Sequence, residues 1–180
     1  RVGYERLLRE GRSAACVVVG DVTSTMACAL TAQKETVPVA HVEGGIRSGD
    51  WSMPEEINRL VTDAVTNWFF TTSEHANRNL RAAGVADDRL FFVGNTMIDT
   101  LLVNLDRLRP ADCYEERRLG EGQYLVVTLH RPSNVDDPAR LQRLLQEIAG
   151  NAHGLPVIFP VHPRTAKVLD RLPDLPAALH

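Results

Sequence analysis

Two glutamates, Glu43 and Glu55, flank a glycine-containing loop in the segment HVEGGIRSGDWSMPEEINR. Glu43 closes a short apolar stretch, PVAHVE, and the end of a buried strand seldom carries a carboxylate that has neither a partner nor a ligand. The loop glycines permit positive backbone dihedral angles and close approach of a ligand to the main chain. Two carboxylates facing one cleft are suited to general acid and base catalysis.

Both glutamates also have a structural interpretation. Ser52 and Glu55 stand in the S-x-x-E relation of a capping box, in which Glu55 only accepts a hydrogen bond from the Ser52 amide. Glu43 has cationic neighbours that could form an ion-pair network with it, namely His41, Arg47 and Arg59. Taken alone, the segment supports the structural and catalytic interpretations of Glu43 about equally.

Strands and helices alternate along the whole chain. Short apolar stretches predict strands at 15–19, 38–43, 68–71, 90–93, 124–129 and 156–161. The helix after the second strand is expected to bury an apolar face, formed by Ile57, Leu60, Val61, Ala64 and Val65. Asp137 and Pro138 mark another helix start, and Thr165 a last one. Such alternation predicts an α/β fold with parallel sheets.

The longest polar interval divides these elements into four strands and two. It carries arginines, glutamates, a proline and two glycines, as domain linkers often do. We therefore expect one domain in 1–105, a linker in 106–123 and a second domain in 124–180.

Polar side chains follow the carboxyl ends of these strands, where ligands bind in open parallel sheets. They are Asp21, Glu43, Ser73, Asn95, His130 and His162. Singly, Asp21 and Ser73 could cap helices and Asn95 could form a left-handed turn. His130 and His162 are each followed by an arginine within two residues, which suits a pyrophosphate. Together the set predicts a binding site for an anionic substrate.

Composition excludes several functional classes. The 180 residues carry a net charge of −3, which provides no general attraction to nucleic acid or to an anionic membrane. The sequence has no membrane-spanning apolar stretch and no signal-peptide core, so we expect a cytoplasmic protein. Cys16, Cys28 and Cys113 are widely spaced, and HExxH, GxGxxG and GxSxG motifs are absent. Neither a metal nor a cofactor is expected.

Five ordered motifs carry a family resemblance. They are VVVGDVTST, HVEGGIRSGDWSMPEEINR, FVGNTMIDTLL, VVTLHRPSNVDD and FPVHPRT. The chain resembles the non-hydrolysing UDP-N-acetylglucosamine 2-epimerases, and it matches the central part of that family's sequence. The resemblance implies a glycosyltransferase-B-like fold of two Rossmann-like domains, here an incomplete pair, with a UDP-sugar bound between them. It also implies a homodimer that uses no cofactor and supplies precursors of cell-surface polysaccharide.

The reaction implied by the resemblance is epimerisation at C2 of UDP-N-acetylglucosamine. Anti elimination of UDP gives a 2-acetamidoglucal, and UDP then adds back while a proton reaches the opposite face of C2. By resemblance, Asp21, Glu43 and Glu55 are the functional carboxylates and His130 is the catalytic histidine. The candidate residues for binding the diphosphate are Arg131 and His162. Further candidate substrate-binding residues are Arg47, Ser73 and Asn95.

Some positions depart from the family pattern. Gly44 replaces the usual alanine, and Pro132 and Ser133 replace a common arginine and glutamate. The alternatives are a hydrolysing 2-epimerase, an epimerase for a related UDP-diacetamido sugar, glycosyl transfer, or an inactive sugar-nucleotide-binding fragment. The PEEINR and HR segments favour the non-hydrolysing type.

Overall fold

The computed structural model describes residues 2–109, 116–117 and 119–180. The chain forms two compact units, Arg1–Leu108 and Arg109–His180. Part of the linker expected at 106–123, including Cys113, lies outside the described residues.

Unit 1 is a parallel sheet with helices between successive strands. Its elements are α1 (Val2–Gly11), β1 (Cys16–Val19), α2 (Thr23–Lys34), β2 (Val39–Val42), α3 (Pro54–Ala64), β3 (Trp68–Thr71), α4 (Glu74–Ala82), β4 (Leu90–Phe92) and α5 (Thr96–Val103). The strands pair in the order β1-β2-β3-β4, all parallel. All four carboxyl ends therefore meet at one edge of the sheet.

The core of unit 1 lies between the sheet and α2. Val18 pairs with His41, and His41 pairs with Phe69, so these three side chains form one row on one face of the sheet. All three are buried, whereas Val17 and Val19 on the opposite face are exposed. Alternation in β1 thus separates a core face from an exposed face.

Unit 2 is a smaller α/β unit. Its elements are β5 (Leu125–Val126), α6 (Pro132–Val135), α7 (Pro138–Gly150), β6 (Val157–Ile158) and α8 (Pro163–Leu169). The two strands are parallel, and the buried core consists of Val135, Leu141, Leu145 and Phe159. Asp137 caps α7 by accepting a hydrogen bond from the Ala139 amide, as its sequence predicts.

These features confirm the α/β class with parallel sheets, but three local predictions are wrong. Ser52 does not cap α3, because its amide and hydroxyl both donate to Asp50 Oδ1 and the helix starts one residue later, after Met53. Helix α8 starts at Pro163 rather than at Thr165, because the His162 side chain caps it. Asn95 has φ −93°, so it forms no left-handed turn.

The buried face of α3 is also not the predicted apolar one. The apolar residues of that prediction are half-buried or exposed, namely Ile57, Leu60, Val61, Ala64 and Val65. The residues that are buried are polar: Glu56, Asn58, Thr62 and Asp63. This helix therefore contributes hydrogen bonds and ion pairs to the interior of unit 1.

Candidate functional site

Asp21 and Glu43 follow adjacent strands at the carboxyl edge of the sheet. The Gly20 amide donates to Val42 O over 3.0 Å, which fixes the ends of β1 and β2 side by side. A Cβ atom on Gly20 would stand 3.8 Å from Glu43 Oε2, so the Glu43 carboxylate lies over the residue that precedes Asp21. The predicted proximity of these two strand ends is present in the structure.

Glu43 has an unusual backbone conformation. Its φ of 70° is in the left-handed region, which costs a residue other than glycine about 1 kcal/mol or more. A hydrogen bond of 2.9 Å from its amide to Phe70 O holds this conformation. Positive φ angles in residues with side chains concentrate at functional sites, since surrounding structure must enforce them.

The basic residues near Glu43 in sequence bind other acids. Arg59 pairs with Asp21 and Glu56, while His41 and Arg47 both pair with Asp63. Within the described residues, the Glu43 carboxylate forms no hydrogen bond or ion pair. The ion-pair network proposed as a structural explanation of Glu43 exists, but Glu43 takes no part in it.

Arg59 holds the Asp21 carboxylate in place. Its Nε and Nη2 atoms donate to Asp21 Oδ2 over 3.0 and 2.5 Å, and Asn58 Nδ2 donates to the Asp21 carbonyl over 2.8 Å. The Asp21 side chain is still 34% exposed. Asp21 is therefore fixed by α3 and open to solvent, and the residue that flanks α2 as its N-cap is Val22 instead.

Glu56 is a buried acid that sequence analysis did not identify. It accepts hydrogen bonds from the Ser48 amide and hydroxyl, the Gly49 amide and Arg59 Nη1, at 2.9 to 3.1 Å. Burial raises the pKa of Glu56, but these hydrogen bonds outweigh burial and lower it from 4.5 to about 2. Glu56 thus fixes the loop before α3 and orients Arg59 towards Asp21.

Glu55 differs from its neighbour. It lies half-buried in the first turn of α3, and its carboxylate forms no hydrogen bond or ion pair with any part of the chain that the structure describes. The capping-box role predicted for Glu55 is therefore absent. A carboxylate in the first helical turn is favourably placed with respect to the helix dipole.

The other predicted residues of unit 1 have structural partners. Arg47 Nη1 lies 2.6 Å from Asp63 Oδ2 and also donates to Ile46 O. Ser73 caps α4 by accepting from the Ala76 amide, and exposed Asn95 caps α5 by accepting from the Met97 amide. Their substrate contacts stay predictions.

In unit 2, the strands are shorter than the predicted 124–129 and 156–161, since they cover only Leu125–Val126 and Val157–Ile158. The predicted histidines therefore lie a few residues beyond the strand ends rather than directly at them. His130 and Arg131 lie after β5, exposed, and neither side chain bonds to a described residue. His162 is exposed after β6, and its Nδ1 accepts from the Arg164 amide over 3.2 Å. The Arg164 guanidinium is paired with Asp136 through two hydrogen bonds, of 2.9 and 2.6 Å. Of the two arginines, only Arg131 therefore keeps its side chain available to a ligand.

No group of three or more potential metal ligands occurs in the described ranges. Within the same ranges, no helix has the length and apolarity needed to cross a bilayer.

Two parallel α/β units with polar side chains at their strand ends define a Rossmann-like architecture of the glycosyltransferase-B-like type. A family model described as UDP-N-acetylglucosamine 2-epimerase matches residues 2–179. The chain belongs to the UDP-N-acetylglucosamine 2-epimerase family.

Relatives from several organisms agree with this assignment. A UDP-N-acetylglucosamine 2-epimerase of Methanocaldococcus jannaschii is 37% identical over 173 residues, which is 93% of this chain and 47% of the relative. A UDP-2,3-diacetamido-2,3-dideoxy-D-glucuronate 2-epimerase of Pseudomonas aeruginosa is 39% identical over 161 residues, 87% of this chain and 44% of the relative. The chain spans about half the length of the curated relatives it matches.

Solved structures give the same picture. The Methanocaldococcus jannaschii UDP-GlcNAc 2-epimerase in complex with UDP-GlcNAc and UDP has a TM-score of 0.77 at 37% identity, covering 94% of this chain and 48% of that one. The Neisseria meningitidis enzyme bound to UDP-GlcNAc has a TM-score of 0.84 at 25% identity, covering 99% and 51%. Both confirm the fold class.

Proposed function

We propose that this protein epimerises UDP-N-acetylglucosamine at C2 by the non-hydrolysing route. The observation that carries the proposal is Glu43. Its carboxylate lies at the carboxyl edge of a parallel sheet on a strained backbone. The basic residues close to it in sequence, His41, Arg47 and Arg59, are each bonded to another acid. Membership of the epimerase family supports a reaction that needs such an acid.

In the proposed reaction, a carboxylate of unit 1 removes the C2 proton while the C1–O bond to UDP breaks. The products of this step are a 2-acetamidoglucal and UDP. Addition of UDP to C1 and of a proton to the other face of C2 completes the epimerisation. Two faces need at least two acid or base groups, and we propose that Asp21, Glu43 and Glu55 supply them.

The charges in unit 1 suit a division of roles among these acids. Arg59 stabilises the negative charge of Asp21, whereas Glu43 and Glu55 have no cationic partner within the described part of the chain. Unit 2 would contribute His130 as a further catalytic group, with Arg131 and His162 binding the diphosphate and stabilising its charge as it departs. Arg47, Ser73 and Asn95 remain proposed substrate contacts, and a cytoplasmic homodimer remains the proposed assembly.

Solvent exchange tests this function. In D₂O, the active protein should introduce deuterium into C2 of UDP-N-acetylglucosamine and yield the 2-epimer without net loss of UDP-sugar. Exchange accompanied by irreversible release of UDP would assign the hydrolysing reaction instead. Absence of exchange in a folded protein that binds UDP would contradict epimerisation and leave sugar-nucleotide binding alone.

A second substrate has specific support, because the Pseudomonas aeruginosa relative is named for a diacetamido glucuronate sugar. The same assay should therefore be run with UDP-2,3-diacetamido-2,3-dideoxy-D-glucuronate. If C2 exchange is faster by about tenfold or more with that sugar, the substrate assignment changes while the reaction stays the same.

A further inference from the structure

His41 lies at the centre of a buried polar network behind the strand ends. Its side chain is 1% exposed. Nε2 lies 2.8 Å from the Gly20 carbonyl oxygen, and Nδ1 lies 2.7 Å from Asp63 Oδ1. Both ring nitrogens therefore face oxygen atoms across short distances.

These distances determine where the protons are. A carbonyl oxygen can only accept, so Nε2 carries a proton that it donates to Gly20. A bare Nδ1 facing an ionised carboxylate at 2.7 Å would place two lone pairs in contact, so a proton must lie between Nδ1 and Asp63 as well. Asp63 Oδ2 forms an ion pair with Arg47 Nη1 over 2.6 Å and accepts a hydrogen bond from the Gly45 amide over 3.1 Å. Both contacts favour the ionised carboxylate. The proton then belongs to His41.

We propose that His41 is a doubly protonated imidazolium that positions the Asp21 and Glu43 strand ends together. Its Nε2–H fixes the Gly20 carbonyl, in the peptide that leads directly to Asp21. Its Nδ1–H fixes Asp63, which in turn holds the Gly45 amide and Arg47 on the loop after Glu43. One ring thus ties two catalytic candidates to α3, and only its link to turnover rests on the function proposed above.

The ring is packed closely against the backbone of Gly44 and the side chain of Phe69. A Cβ atom on Gly44 would come 2.9 Å from Phe69 Cδ1 and 3.3 Å from His41 Nδ1. The charged groups around this network include Asp63 on α3, Arg47 and Glu43 on the loop, and the Asp21–Arg59 ion pair that follows Gly20. Arg89 is also close, because its guanidinium lies 5.6 Å from the centre of the Phe69 ring. Asp63 is the one carboxylate among them that contacts the ring, so it decides the protonation of His41.

Nitrogen-15 NMR of the histidine rings tests the proposal directly, without reference to activity. We expect both ring nitrogens of His41 to carry a proton in the wild type at about pH 7, because each of them faces an oxygen that accepts. The His41→Gln spectrum assigns the signals. In Asp63→Asn, one proton should be lost from Nδ1 while Nε2–H is kept. The proposal would be overturned if only one ring nitrogen of His41 were protonated in the wild type near pH 7, or if both were protonated in Asp63→Asn.

Kinetics tests the positioning role. His41→Gln keeps a donor but cannot bond both Gly20 and Asp63, so we expect kcat to fall by about 10- to 100-fold while KM changes by less than about threefold. His75→Gln, on the exposed surface of α4, is the matched control and should leave both constants unchanged. A folded, fully active His41→Gln would refute positioning. An inactive wild type would refute the proposed function and leave the NMR result standing.

Discussion

Glu55 and Glu56 are adjacent in sequence but differ in their surroundings. Glu56 accepts four hydrogen bonds in the interior, whereas Glu55 forms none with the described residues. Replacing Glu56 by glutamine removes the charge that pairs with Arg59 and gives the side chain donors that face the Ser48 and Gly49 amides. We expect Glu56→Gln to reduce the free energy of unfolding of unit 1 by about 2–4 kcal/mol.

The adjacent variant Glu55→Gln is the matched control. It should change stability by less than about 0.5 kcal/mol but lower kcat by about 100-fold or more, because it removes a proposed acid or base. Both tryptophans of the chain, Trp51 and Trp68, lie in unit 1, so urea unfolding followed by tryptophan fluorescence reports on this unit. Equal stability losses in the two variants would contradict the separation of roles.

The stability effect of Glu56 should also depend on pH. Its pKa is lowered from 4.5 to about 2, so its stabilising contribution is complete above about pH 4.5 and is lost as pH falls towards about 2. The wild-type and Glu56→Gln curves of unfolding free energy against pH should therefore converge in acid. A constant gap between them down to about pH 2 would show that Glu56 stabilises by packing alone.

Sequence reasoning identified Glu43 because an acid at the end of an apolar strand is locally conspicuous. It missed the partners of His41, Arg47 and Arg59, since Asp63 and Glu56 resemble ordinary polar residues on a helix surface. The signal was present in their spacing, because Glu56 and Asp63 lie two turns apart on one face of α3. No local feature of the sequence indicates that the face of α3 carrying Glu56 and Asp63 is the buried one.

At the scale of elements, the existence and order of the strands were predictable, because apolar, β-branched and aromatic residues form short isolated stretches. The lengths of the unit 2 strands were not, since β5 and β6 are much shorter than their apolar stretches. The residues at which the helices start were harder to predict from the sequence. The start of α7 was found because Asp137 caps it through local hydrogen bonds. The start of α3 was misplaced because Asp50 captures Ser52, a competition between two turn residues that the capping-box pattern does not include.

The loop between β2 and α3 depends on its contact with α4. Gly45 has φ 84°, and a Cβ atom there would stand 2.6 Å from the Ala76 carbonyl and 2.8 Å from the Leu80 side chain. Gly49 has a similar φ of 73°, but its Cβ would have nothing within 4 Å. Gly45→Ala should therefore cost about 2–4 kcal/mol, of which the backbone strain shared with Gly49→Ala is about 1 kcal/mol.

Unfolding by urea with tryptophan fluorescence measures both glycine variants. Gly45→Ala should also lower kcat, since Gly45 is bonded to Asp63 through its amide and to Asn79 through its carbonyl. If Gly49→Ala proves as harmful as Gly45→Ala, backbone strain rather than the contact with α4 controls the loop.

At the scale of the whole molecule, the two units carry different kinds of polar side chain. The carboxylates Asp21, Glu43 and Glu55 belong to unit 1, whereas His130 and Arg131 belong to unit 2. This distribution predicts that proton transfer and diphosphate binding can be impaired separately. Because hydrogen bonds from a charged donor contribute about 1.5–3 kcal/mol, Arg131→Ala should weaken UDP binding by about 10- to 100-fold.

Two matched variants make this last prediction specific, with UDP affinity measured by titration calorimetry. Arg164→Ala should change the Kd for UDP by less than about threefold, because the Arg164 guanidinium is already bonded to both oxygens of Asp136. Glu43→Gln should also change the Kd for UDP by less than about threefold. It should abolish C2 exchange, because it removes a proton-transfer group and no cation. Comparable losses of UDP affinity in Arg131→Ala and Arg164→Ala would show that net positive charge, rather than the available guanidinium of Arg131, binds the diphosphate.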